Sequence, residues 1–179
     1  MDYTAVSATD MTTLVVKGDE QMDLGTLTGT ILASVDATGL EDSDGANADF
    51  IFDMGTSTVN MTVTGNASST HGGDMQITTG SGADTITGTK QVDTIDAGAG
   101  ADNMTGGAGI DHYDFADSDS GITLATADTI RDFVTGTDQL DLAGKVVASV
   151  VTFADGTAMA DLAAVITAAD LVLAAGDDD

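Results

Sequence analysis

From residue 11 onward the apolar side chains come in short runs: Leu14 to Val16, Leu27 to Val35, Phe50 to Phe52, then Val59, Met61 and Val63 in alternation. Gly and Asp/Asn clusters separate the runs, and no long helical period falls between them. This is the pattern of stacked strands, in an all-β solenoid or a sandwich. From residue 80 the alternation acquires a fixed period. GSGADTIT, GTKQVDTID, AGAGADNMT and GGAGIDHYD follow one another, with Asp84, Asp93, Asp102 and Asp111 nine residues apart. Two residues beyond each Asp stands an apolar side chain, Ile86, Ile95, Met104 or Tyr113. Counting back by nine finds Ile77, then polar Ser68, then Val59, so the repeat is expected to grow out of a related, less regular coil. A short fixed period marks a solenoid, whose units bury their apolar faces only against their neighbours.

After the repeats, apolar positions Ile130, Phe133, Leu140 and Leu142 continue within residues 114–144. From about Thr157, Met159, Leu162, Val165, Ile166 and Ala169 keep helical spacing, ahead of Leu171 to Leu173 and a terminal Asp177, Asp178 and Asp179. These pieces are expected to cap the open end of the stack, because an uncovered sheet edge invites aggregation. The expected organisation is therefore β coils over 1–70, the regular repeat over 71–114 and a β/helical cap over 115–179. Residues 41–49, EDSDGANAD, read as a solvated acidic loop.

Charge narrows the function. Thirty acidic side chains stand against four basic ones, a net −26 that repels nucleic acid and anionic membrane and favours cations. Only Glu20 and Glu41 are Glu. The rest are Asp, the short acid that turns and hard-cation sites need beside Gly. With no Cys there is neither a disulfide framework nor a thiolate zinc site, so metal binding through oxygen is the expectation. The most apolar stretch, Leu162 to Ala175, is too short to span a membrane and is interrupted by Thr167 and Asp170. The start at Met1, Asp2 and Tyr3 lacks the basic and apolar regions of a signal peptide, so export would need another route or a longer precursor.

No catalytic set emerges. His71 and His112 are the only histidines, no H-E-x-x-H is present, and His112 falls on an outward position of a repeat strand. No nucleophile elbow, Walker or dinucleotide loop occurs. Lys17, Lys90, Arg131 and Lys145 are too few for a phosphate clamp. The chain is expected not to be an enzyme.

The repeat has its own chemistry. Three residues of each unit make a very short strand with its central side chain inward, and the other six reverse direction and aim backbone carbonyls at one point, which Gly permits. Calcium takes about 6 to 8 oxygens, so turn carbonyls and Asp carboxylates of neighbouring turns can complete its shell. The unit fits GGxGxDxUx, with U a large apolar residue, and residues 79–114 resemble the repeats-in-toxin (RTX) calcium-binding β-roll family. Residues 106–111, GGAGID, are complete. AGAGAD over 97–102 and TGSGAD over 79–84 lack the first Gly, and GTKQVD over 88–93 keeps Gly88 and Asp93 alone.

The resemblance implies a parallel β-roll binding Ca2+, in which turns eighteen residues apart share a side. Asp84 and Asp102 then share one edge, and Asp93 and Asp111 the other. The edge combining Gly80, Gly82 and Asp84 with Gly98, Gly100 and Asp102 is expected to bind best. The opposite edge, Gly106, Gly107, Gly109 and Asp111 with the degraded turn at Asp93, is expected to bind less tightly or to have its shell completed by water. A serralysin-like stretch follows: Asp128, Ile130, Asp132, Phe133, Gly136, Asp138, Leu140, Asp141 and Leu142 match D-x-I-x-D-F-x-x-G-x-D-x-(I/L)-D-L. From it Asp128 is expected to complete a third site with Asp111.

By the same resemblance the chain is similar to the carboxy-terminal region of RTX surface-layer proteins: a secreted structural module that self-associates at the cell surface, with a cell-surface glycan as a further partner. The alternative is the calcium-dependent folding and type I secretion tail of a secreted hydrolase or toxin. Upstream coils that merge into the repeats without a linker favour the first. Secretion would read a C-terminal signal within 157–179, with the roll unfolded in low cytosolic calcium and folded in millimolar calcium outside. A third reading, a flat binding array of Thr85, Thr87, Thr94 and Thr105, is interrupted by Asp96, Asn103, His112 and Asp114.

Overall fold

The computed structural model describes residues 10–18, 21–27, 31–41, 48–67, 73–116, 119–120, 126–142 and 151–153. Within them the chain forms β1 (Thr13–Gly18), β2 (Met22–Thr26), β3 (Ser34–Leu40), β4 (Ala48–Asp53), β5 (Thr62–Thr64), β6 (Asp74–Thr78) and β7 (Thr85–Thr87). It continues through β8 (Thr94–Asp96), β9 (Asn103–Thr105), β10 (His112–Phe115), β11 (Asp128–Ile130), β12 (Gln139–Leu142) and β13 (Val151–Phe153). Odd strands pair in sequence order as one seven-stranded sheet and even strands as a six-stranded one. Every strand pair is parallel. The chain therefore crosses from one sheet to the other at each step, which is a parallel β-roll.

The three-residue strands Thr85–Thr87, Thr94–Asp96 and Asn103–Thr105 each bury only their centre. Alternation sends the flanking Thr, Asp and Asn outward, and the single inward side chain fills the gap between the sheets. In the seven-stranded sheet Val35, Val63, Ile86, Met104 and Ile130 stack in register. In the six-stranded sheet the corresponding column is Phe52, Ile77, Ile95 and Tyr113. All nine side chains belong to one core. Phe50 and Phe52 stack at 5.9 Å, and Phe133 packs at a tilt against the Tyr113 ring at 6.1 Å.

The upstream coils belong to the same roll, because β3, β4 and β5 pair in parallel with β5, β6 and β7. Of the two architectures open for residues 1–70, the described strands are solenoid; a sandwich would pair them antiparallel. The backward count by nine fails beyond Ile77. Val63 rather than Ser68 fills the column below Ile86, and Phe52 rather than Val59 that below Ile77, since the segments joining β4 to β5 and β5 to β6 are longer than a repeat turn. Ser68 lies outside the described residues. Downstream, β11 pairs with β9 and β12 with β10, so residues 128–142 add a strand to each sheet. The helix expected from Thr157, the terminal acids, His71 and residues 42–47 of the acidic loop lie outside the described residues. Thr94 stands in the other sheet from Thr85, Thr87 and Thr105, so these four form no single rank.

Candidate metal centre along the roll edges

The turns between strands stack along two edges. On one, a Cβ at Gly98 would overlap the carbonyl oxygen of Gly80, and one at Gly100 that of Gly82. On the other, Gly107 faces the carbonyl of Thr89 and Gly109 that of Gln91 just as closely. Gly98 also has φ +69° and Gly107 φ +114°, so both sterics and backbone conformation demand glycine there. The demand falls on the upper turn of each pair. The lower turn contributes only carbonyls, so GTKQVD keeps the carbonyl positions of the complete turns although it has lost two glycines.

The repeat Asp residues do not face water. Asp84, Asp93, Asp102 and Asp111 are at most 1% exposed, and Asp128 is fully buried. Each carboxylate reaches back over the preceding turn on its own edge. The Asp84 N–H donates to Asp102 Oδ1 at 2.7 Å and the Asp102 N–H to Asp128 Oδ1 at 2.8 Å. On the other edge the Asp93 N–H donates to Asp111 Oδ1 at 3.0 Å and the Asp111 N–H to Asp138 Oδ1 at 3.1 Å. Asp84 and Asp102 thus share one edge and Asp93 and Asp111 the other. Asp128 does not join Asp111. The strand after β10 must return to the opposite sheet, so Asp128 falls over Asp102, and Asp138, which precedes β12, falls over Asp111.

The edges differ in how their carboxylates are satisfied. Oδ2 of Asp84 and Oδ2 of Asp102 are buried without a hydrogen-bond partner. Asp93 instead uses both oxygens: Oδ1 accepts from the Met75 N–H at 2.8 Å and Oδ2 from the Thr89 N–H at 2.6 Å, with the Thr89 hydroxyl 3.2 Å from each. A bare buried carboxylate oxygen is costly unless a positive charge meets it. The donor set on the first edge, hard carboxylate and carbonyl oxygens, suits such a cation. Among the described residues no three His, Asp or Glu side chains form a metal cluster of their own, so main-chain oxygens must supply much of any shell.

Electrostatics point the same way. Burial pushes the Asp102 carboxyl up to about 8, helped by the charges of Asp128 and Asp84 and opposed by the Asp84 N–H. Asp93 rises to about 7, again chiefly by burial, with the N–H groups of Thr89 and Met75 pulling it down. Burial also lifts Asp111 and Asp128 to about 6. Stacked carboxyls of this kind are reluctant to ionise together unless a divalent ion offsets their repulsion.

Two further acids take part to which the repeat pattern assigns no role. Asp138 caps the Asp111 turn and also accepts from the Val134 N–H at 2.7 Å. Asp132 accepts from the Gly106 and Gly107 N–H groups at 3.0 and 2.8 Å, and the buried Tyr113 hydroxyl, which accepts from Gly106, lies 3.3 Å away. Both belong to the stretch D-x-I-x-D-F-x-x-G-x-D, and strict alternation of sheets is the signal that assigns Asp138 to the Asp111 edge.

A parallel roll with stacked, oxygen-lined turns is therefore the class that fold and site define. Residues 78–113 match the family model of the RTX calcium-binding nonapeptide repeat, in four copies. No curated protein and no solved structure matches the chain. The matched repeat is a calcium-binding structural module and not a catalytic one, and its cofactor is Ca2+.

Proposed function

We propose that the chain is a calcium-binding structural module of a secreted, surface-layer-like protein, which folds on calcium outside the cell and then associates with its own copies. The buried Oδ2 atoms of Asp84 and Asp102 carry the calcium part of this reading. In it Gly80, Gly82, Asp84, Gly98, Gly100 and Asp102 hold the tighter calcium, with Asp128 continuing that edge. Asp93, Gly107, Gly109 and Asp111 form the weaker edge, because Thr89 already occupies both oxygens of Asp93.

Self-association is supported by apolar side chains on an acidic surface, Val92 and Ile110 being 40% and 45% exposed at equivalent positions of turns on one edge. Upstream coils that continue into the repeats within the same two sheets also fit a coat protein better than a tail joined to a separate catalytic domain. The alternative, a type I secretion tail of a hydrolase or toxin, draws on residues 128–142, which extend the roll in the serralysin-like stretch. Electron microscopy of the chain after calcium addition separates them: ordered arrays support the coat, monodisperse particles the tail.

A further inference from the structure

On the Asp84 edge the turn below the first repeat is Ser57-Thr58-Val59-Asn60-Met61, which has neither glycine nor acid and lies outside the matched residues 78–113. The register Thr62↔Thr85 sets Ser57 under Gly80, Val59 under Gly82 and Met61 under Asp84. The contacts repeat those of the step above. A Cβ at Gly80 would overlap the Ser57 carbonyl oxygen and one at Gly82 would press on that of Val59, as Gly98 and Gly100 do with Gly80 and Gly82. The Met61 N–H donates to Asp84 Oδ1 at 2.7 Å, as the Asp84 N–H does to Asp102.

This turn is also held in shape. The Val59 N–H folds onto Ser57 Oγ at 3.2 Å, Ser57 is 4% exposed, and the Asn60 side-chain oxygen accepts from the Ala83 N–H at 3.0 Å. The Ser57 carbonyl accepts from the Ser81 N–H at 2.8 Å and, at the longer distance of 3.4 Å, from the Ser81 hydroxyl, a rotatable donor that a cation can displace. Asp84, 1% exposed, bends its carboxylate back over this turn and keeps Oδ2 buried without a partner. A hydrogen-bond donor there would satisfy that oxygen; the neighbouring turn presents carbonyl oxygens instead.

We infer that a further divalent-cation position, of the hard, oxygen-liganded class, lies between turns 57–61 and 79–84 and takes the carbonyl oxygens of Ser57 and Val59 with the carboxylate of Asp84. The inference rests on the calcium reading of the step above, which it extends by one coil. The nonapeptide pattern hides such a position because carbonyl donation imposes no side chain on the lower turn.

The test uses the full chain crystallised in calcium, with anomalous scattering recorded after a terbium soak. The expected map has a peak between turns 57–61 and 79–84 in addition to one between turns 79–84 and 97–102. A peak at the upper step alone overturns the inference and leaves the calcium roll standing; no peak at either step overturns both.

Discussion

The backbone N–H of Asp84 donates to the carboxylate of Asp102 at 2.7 Å, across one full circuit of the roll. That bond orients Oδ1 and leaves Oδ2 of Asp102 buried and bare, so the residue that stitches two turns together also demands a cation. Asp93 makes the same stitch to Met75 at 2.8 Å, yet Thr89 completes its shell from within the protein.

Calcium affinity should therefore respond unequally to the two acids. Asp102→Ala is expected to weaken binding by about 10- to 100-fold, the equivalent of roughly 1.5–3 kcal/mol for a charged contact. Asp93→Ala is expected to change calcium affinity less and to lower stability in chelator at pH 5.5 instead, by roughly 1–3 kcal/mol, because it strips the Met75 and Thr89 N–H groups of their acceptor. Calorimetric titration and chemical denaturation check the pair; the reverse ranking contradicts the assignment.

Gly98 and Gly136 separate steric from conformational demand. Both have positive φ, +69° and +82°, but a Cβ at Gly98 meets the Gly80 carbonyl while one at Gly136 meets nothing within 4 Å. Gly136→Ala is expected to cost about 1–2 kcal/mol, the left-handed penalty alone. Gly98→Ala should cost more and weaken calcium binding as well. Denaturation curves in saturating calcium give the first comparison and titration the second.

Acid should act oppositely on the two forms. Asp93, Asp102, Asp111 and Asp128 are all raised from 3.8 in the folded roll, Asp102 to about 8. Between about pH 4 and 8 the calcium-free roll thus binds more protons than the unfolded chain, and its stability falls as pH rises. Calcium must displace those protons, so its affinity should fall as pH drops, by up to about tenfold per pH unit for each proton released. A thermal transition in chelator that is present at pH 5.5 and lost at pH 8, and calcium titrations at the same values, check both signs.

Asp132→Ala removes the shared acceptor of Gly106 and Gly107 and the acid beside the Tyr113 hydroxyl. A loss of roughly 1.5–3 kcal/mol is expected, with calcium-loaded and calcium-free forms both affected, because these bonds form without the metal. Denaturation of the calcium-loaded form at pH 8 and of the calcium-free form at pH 5.5 measures it.

The period of nine makes the paired edges and the inward Ile86, Ile95, Met104 and Tyr113 legible from residue order alone, because in that stretch one residue type fills each role. The register is lost where turn length changes. Between β5 and β6, and again between β10 and β11, longer connections shift the count, which is why counting by nine puts Ser68 in the place of Val63 and pairs Asp128 with Asp111. Thr89 is invisible as a partner of Asp93, since its N–H and hydroxyl act through a turn shape that the pattern describes only as degraded. The Ser57 turn is hidden for the opposite reason: its carbonyls leave no trace in residue type.

The central claim is that divalent ions between successive turns let buried carboxylates share one scaffold. Amide hydrogen exchange on the full chain, followed residue by residue through β7 to β10 in calcium and after chelation, tests it most directly. Protection of Ile86, Ile95, Met104 and Tyr113 that is present with calcium and lost in chelator at pH 8 is the predicted result. Equal protection in both conditions contradicts it.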